Sequence, residues 1–336
     1  MAANPPPPRA PPENEPSDLP QVLVLKPPPV LNAFWDHFTK RFQILKVWES
    51  PLPVDQFLAT HARSIRALLC AGTGPPITAE IIRLLPSLRL VVTTSVGLNH
   101  IDLTECRRLG IAVADAGDVF SEDVADMAVG LLIDVLRKVS AADRYVRKGL
   151  WAAKGDYPLG SKLGGKRIGI VGLGSIGFLV AKRLEAFGCS ISYNSRKRKV
   201  FVSYPFYTNV CELAANSDAL IICCGLTDQT RHMINREVLL ALGKEGVIVN
   251  IGRGAIIDEK EMVQCLAEGQ IGGAGLDVFE NEPNVPKELF ALDNVVLEPH
   301  LAVFTPESFK ALRDLMIGNL EAFFSNKPLL SPAIDE

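Results

Sequence analysis

The side chain best suited to carry a proton near neutral pH stands in "NVVLEPHLAV" (294–303). It is His300, just past the apolar run Val295-Val296-Leu297 and the break at Pro299. On position alone a packed histidine is the more usual reading, ahead of an acid/base. A second stretch has a more definite chemistry. "KRIGIVGLGSIGFLVAKRLEAFG" reads as strand, Gly172-x-Gly174-x-x-Gly177, helix. Gly172 permits a tight turn, Gly174 lets backbone approach a pyrophosphate, and Gly177 lets helix and strand pack closely. Leu173, Gly174, Ser175 and Ile176 then open a helix whose N–H groups and dipole favour phosphates. The ligand predicted is a dinucleotide, with S-adenosylmethionine as the competing ligand for such a turn.

About twenty residues after the first glycine, an NAD site offers Asp or Glu to the ribose 2′-hydroxyl. Here the chain reads "SISYNSRKRKV", with Asn194, Ser195, Arg196 and Lys197 and no acid. An acid repels a 2′-phosphate, whereas Arg pairs with it and Ser adds a donor. The pattern predicts NADP, with NADPH preferred over NADH.

The elements that must position these residues form two alternations. "QVLVL", "IRALLC", "LRLVVTT" and "IAVA" read as strands, with helices near 31–40, 53–62, 78–85 and 102–109. "SEDVADMAVGLLIDVLRKVSAADRYVRKG" reads as one long helix, with Ser121 as its N-cap and Gly149 as its end. Six further strand-like runs follow: "KRIGIVGLG", "CSISYNS", "DALIICC", "GVIVNIG", "GGAGLDV" and "NVVLEPH". The predicted fold class is α/β, with two Rossmann-like domains built on doubly wound parallel sheets. A last helix near 305–326 is expected to return to the first domain. The expected domains are a substrate domain over 21–117, completed by 304–330, and a dinucleotide-binding domain over 118–303. The Pro-rich start, 1–20, is expected to be a disordered tail, without the apolar stretch of a secretory signal.

Composition narrows the function classes. The 336 residues are 48% hydrophobic and 22% charged, with a net charge of -3. That balance gives no general attraction to nucleic acid or to anionic membrane. No apolar run reaches the roughly 18 residues of a membrane helix. The seven cysteines include no Cys-x-x-Cys pair, which reads as a reduced cytoplasmic protein with buried thiols and no metal site.

Four more segments lie along the chain: "SVGLNHID" (95–102), "NIGRG" (250–254), "GLDVFENEP" (275–283) and "PH" (299–300). With "GLGSIG" they resemble the D-isomer-specific 2-hydroxyacid dehydrogenases, over about residues 21 to 330. Within that family the chain looks most like plant glyoxylate/hydroxypyruvate reductases and hydroxyphenylpyruvate reductases, which implies photorespiration as a setting. The resemblance implies a catalytic set of Arg253, Glu282 and His300. Arg253 would hold the substrate carboxylate and carbonyl, His300 would be the acid/base, and Glu282 would hydrogen-bond to it. Ile251, Gly252 and Arg253 would line the cofactor, and Asp277 would face its nicotinamide end. Backbone N–H groups at Val96 and Gly97 would grip the carboxylate, so that Val96, Gly97, Arg253 and His300 bind substrate. It also implies a homodimer, with Trp151 near the partner subunit's substrate pocket.

The chemistry agrees with that set. Reduction of a 2-keto acid needs a hydride, a proton for the developing alkoxide and a cation for the carboxylate. His supplies the proton near working pH, and the Arg fork bonds two oxygens at once. The expected substrates are small 2-keto acids, hydroxypyruvate going to glycerate and glyoxylate to glycolate. Two departures from the family pattern stand out. Leu301-Ala302-Val303-Phe304-Thr305 replaces a small polar run after the histidine, and Asn99 replaces a frequent Asp. The apolar loop suits a bulkier acid, so hydroxyphenylpyruvate reduction is one alternative. A non-enzymatic dinucleotide sensor of the corepressor kind is the other.

Overall fold

The computed structural model describes residues 19–333. The expected tail falls almost wholly on residues outside that range. The chain divides into two units, residues 1–116 with 312–336, and residues 117–311. The return into the first unit thus falls within the last helix, Pro306–Phe324, and later than the 304 expected.

In the first unit, five strands form a parallel sheet: β1 (Gln21–Val24), β2 (Gln43–Lys46), β3 (Ala67–Cys70), β4 (Leu90–Thr93) and β5 (Ala112–Ala114). Their order is β2-β1-β3-β4-β5. β3 and β4 are buried throughout, as continuous apolar runs between two helical layers should be. β2 escaped the sequence reading. Its "QILK" lies at the sheet edge and is only half buried, so it lacks that apolar signature. The predicted helix 31–40 is two short helices, Pro29–Ala33 and Trp35–Thr39. The C-terminal segment completes this unit. Asn319, fully buried, accepts N–H bonds from Leu330 and Ser331, and Asp115 N–H donates to the Ser331 carbonyl at 3.1 Å.

The second unit holds β6 (Arg167–Val171), β7 (Ser190–Asn194), β8 (Phe206–Tyr207), β9 (Ala219–Ile222), β10 (Val247–Asn250), β11 (Gly273–Leu276) and β12 (Val295–Leu297). The order β12-β11-β10-β9-β6-β7-β8 is parallel throughout. From β6 the chain runs outward to β7 and β8, then returns to the other side at β9. The switch point therefore lies between β6 and β9, where such sheets open a crevice at their carboxyl ends. The two-residue β8 is too short to leave a pattern in the sequence.

The single long helix expected over 121–149 is broken. Helices span Ser121–Arg137, Val139–Arg147 and Leu150–Lys154. The break is at Lys138, in the left-handed region with φ 56°. The Asp134 carboxylate secures it by accepting both the backbone N–H and the hydroxyl of Ser140. Ser121 is the first helical residue and not the cap, which is Phe120. Among the described residues no helix is long and apolar enough to cross a membrane.

Candidate active site

The glycine turn closes β6 and opens the helix Ser175–Ala186. Gly172 has φ 96°, and a Cβ there would lie 2.7 Å from the backbone of Cys224, at the end of β9. A Cβ at Gly177 would overlap the Gly172 carbonyl oxygen. Both glycines are thus required by the close packing of β6, its helix and β9. A Cβ at Gly174 would meet nothing within 4 Å, so the outer side of the turn is open. An open helix N-terminus at the switch point of a parallel sheet fits the pyrophosphate of a dinucleotide. Leu173 is buried, while Ser175 and Ile176 begin the helix.

β7 runs beside β6 and ends at Asn194, whose amide donates to the carbonyls of Tyr207 and Thr208. Asn194 therefore secures the loop. The Ser195 hydroxyl donates a hydrogen bond to the Lys197 carbonyl. Arg196 and Lys197 are exposed beyond it, with no acid between Ser190 and Val200.

The remaining predicted residues of the second unit follow the carboxyl ends of three adjacent strands. β10 leads to Ile251-Gly252-Arg253, β11 to Asp277 and Glu282, and β12 to His300. Register places Asn250 beside Leu276, and Leu276 beside Leu297, so the three loops leave the sheet side by side. Asn250 is buried and holds the first loop. Its side chain accepts from Gly252 N–H at 3.0 Å and donates to the Arg253 carbonyl at 3.0 Å. Arg253 then starts the tight turn Gly254–Ile256. A Cβ at Gly254 would overlap the Phe279 carbonyl carbon, so only glycine lets this turn press against the next loop. Sequence reading assigned no role to Asn250, although it stands inside "NIGRG".

His300 adopts φ 53°, in the left-handed region, and its N–H donates to the Asp277 carbonyl at 2.9 Å. A non-glycine residue held there marks a site over-determined by its surroundings. One oxygen of Asp277 accepts the N–H groups of Leu301 at 2.8 Å and Ala302 at 3.2 Å. Asp277 thus shapes the loop that carries the histidine. Burial pushes its carboxyl up, against those two bonds and the charge of His300.

His300 Nδ1 lies 2.8 Å from Glu282 Oε2. The other Glu282 oxygen accepts Phe279 N–H at 3.0 Å. Burial raises the Glu282 carboxyl, but the His300 bond, the Phe279 bond and the charges of His300 and Arg253 outweigh it and hold the group below its usual range. Near neutral pH Glu282 is therefore a carboxylate and can only accept. Nδ1 must carry the hydrogen between them, which leaves Nε2 as the nitrogen not engaged by Glu282. The side chains are 37% and 34% exposed, so a small molecule can reach the pair.

Arg253 lies half-buried near this pair. Burial lowers its guanidinium, against the charges of Glu282 and Asp277. One guanidinium nitrogen donates to the Gly252 carbonyl at 2.7 Å. The structure thus brings Arg253, Glu282, Asp277 and His300 together. Val96 and Gly97 belong to the first unit, in the loop after β4, with Val96 exposed. Trp151 is exposed on its short helix.

Cysteine chemistry has no support. All seven thiols are free, and burial pushes Cys70 up to about 12 and Cys224 up to about 11, far from a nucleophilic thiolate. Among the described residues no group of three or more His, Cys, Asp or Glu could hold a metal ion.

Comparison with known proteins places this geometry. Residues 129–302 match the family described as D-isomer specific 2-hydroxyacid dehydrogenase, NAD binding domain. A glyoxylate/hydroxypyruvate reductase of Arabidopsis thaliana is 56% identical over 94% of this chain and 98% of its own. A hydroxyphenylpyruvate reductase of Plectranthus scutellarioides is 50% identical over 93% and 99%. Among solved structures, an NADPH-dependent glyoxylate/hydroxypyruvate reductase of Sinorhizobium meliloti, in complex with NADP and malonate, is 35% identical. It superposes with a TM-score of 0.85 and covers 94% of this chain and 96% of its own. With its open glycine turn and its Arg253, Glu282 and His300 on three neighbouring strand ends, the chain belongs to the D-isomer specific 2-hydroxyacid dehydrogenases, a family of oxidoreductases.

Proposed function

We propose that this protein reduces small 2-keto acids, converting hydroxypyruvate to glycerate and glyoxylate to glycolate, with NADPH preferred over NADH. The observation that carries the reading is the 2.8 Å contact of His300 Nδ1 with the Glu282 carboxylate beside a half-buried Arg253. Bound NADPH supplies the hydride. His300, as imidazolium, donates its Nε2 proton to the developing alkoxide. Glu282 fixes the ring orientation and stabilises the positive charge. Arg253 takes the planar 2-keto acid by its fork. The turn at Leu173–Ile176 holds the pyrophosphate, Ile251 and Gly252 line the cofactor, and Asp277 shapes the loop beside its nicotinamide end. Oxidation of NADPH against a panel of 2-keto acids is the direct test, and absence of turnover with every acid would leave dinucleotide binding alone.

Hydroxyphenylpyruvate belongs in that panel. The Plectranthus relative carries that activity in its name, and the loop after His300 is apolar, with Phe304 exposed.

The cofactor preference rests on Arg196 and Lys197. Arg196→Ala should raise the KM for NADPH far more than that for NADH. Loss of a charged hydrogen bond of about 1.5–3 kcal/mol corresponds to roughly ten- to hundred-fold. Equal effects on the two cofactors would exclude a 2′-phosphate contact at this residue.

A homodimer is part of the proposal. Val139, Val146 and Trp151 are exposed along the consecutive helices Val139–Arg147 and Leu150–Lys154, and these apolar side chains suit a protein contact. Sedimentation at micromolar concentration should give a dimer, and a monomer alone would rule this out. The thiols are all free and four of the seven are buried, which fits a reducing compartment, and the cytoplasm is the proposed location.

A further inference from the structure

His232 stands between β9 and the helix Arg236–Leu242, in "TRHMIN". It adopts φ 50°, as rare a conformation for histidine as that of His300. Its backbone N–H donates to the Ala255 carbonyl at 2.9 Å, inside the turn that Arg253 begins. The chain then runs alongside that turn. Ile234 N–H donates to the Ile256 carbonyl at 3.1 Å, and Asp258 N–H donates to the Ile234 carbonyl at 2.9 Å.

The side chain reaches elsewhere. His232 Nε2 lies 2.8 Å from Glu280 Oε1. Glu280 belongs to the loop after β11, between Asp277 and Glu282. One residue thus grips the Arg253 turn with its backbone and the Glu282 loop with its ring. The charged groups around the ring come from both sides. Asp258 Oδ2 is 4.0 Å from Nδ1, and the buried Glu259 accepts Glu280 N–H at 3.0 Å. Glu282 is the next acid along the loop, with Arg253 opposite it.

We propose that His232 is a positioning residue, which holds Glu282 against His300 by fixing Glu280 to the Arg253 turn. It acts through Glu280. The ring is 40% exposed, and a pair so open to water adds little to stability. Its removal should therefore appear in the geometry of the site more than in the melting temperature. The inference rests on the reading of His300 and Glu282 as the acid pair.

The test uses the full chain with NADPH and glyoxylate, and the variants His232→Ala, His232→Gln and Glu280→Gln. In His232→Ala, kcat should fall roughly ten-fold, the scale of a small misplacement of catalytic groups, while the KM for NADPH stays within about two-fold. In the ligand-free protein, amide hydrogen exchange at Phe279 and Glu280 should quicken. His232→Gln keeps a donor toward Glu280 and should recover most of the rate, and Glu280→Gln should weaken the contact in the same direction as His232→Ala. An unchanged kcat in His232→Ala would overturn the proposal, as would a His232→Gln no better than alanine. His300→Gln, assayed alongside, separates the two readings. If it retains activity, the acid assignment itself fails. If it loses activity while His232→Ala does not, only the role of His232 fails.

Discussion

His300→Gln is expected to lower the rate of 2-keto-acid reduction by roughly 10² to 10⁴, the usual contribution of a positioned acid. Glutamine keeps size and a hydrogen-bond donor but cannot titrate. Cofactor binding should be almost unchanged, because the phosphates belong at the Gly172–Gly177 turn. Glu282→Gln should cost less, because the amide oxygen can still accept the Nδ1 hydrogen and hold the ring. Steady-state rates for the wild type and both variants check this. A His300→Gln enzyme with most of its activity would show that the histidine only packs.

Arg253→Gln should reduce kcat/KM for glyoxylate by roughly 10² to 10⁴, because it removes two charge-assisted hydrogen bonds of about 1.5–3 kcal/mol each. Arg253→Lys should lie between the two, since the ammonium keeps the charge and loses the fork. NADPH titration by fluorescence quenching separates this loss from damage to the cofactor site. A loss below ten-fold in Arg253→Gln would mean that another cation holds the carboxylate.

Legibility in the sequence followed burial. β3, β4, β9 and β10 are buried at every position, and each was visible as an apolar run. β2 was not, because an edge strand with Gln and Lys at its ends carries no such run. The break at Lys138 was hidden for another reason. Its cause is the Asp134 side chain on Ser140, a local bond that hydropathy does not register. In the site, the glycine turn was legible because its spacing is itself the mechanism. Arg253, Glu282 and His300 were legible only as parts of separated motifs. His232 carried no signal at all. Its partner Glu280 is 48 residues away, and only the juxtaposition of two loops gives it meaning.

The way the first unit is finished has a consequence for synthesis on the ribosome. β5 and the loop after it are bonded to the far end of the chain, through Asp115 with Ser331 and through Ala333 N–H with the Val113 carbonyl. The unit that emerges first must therefore wait, with its last partners unmade, until the whole second unit has been translated. The second unit is one unbroken stretch, residues 117–311, and can fold as soon as it leaves the exit tunnel. Translation order and the order in which the two units can be completed are thus opposed.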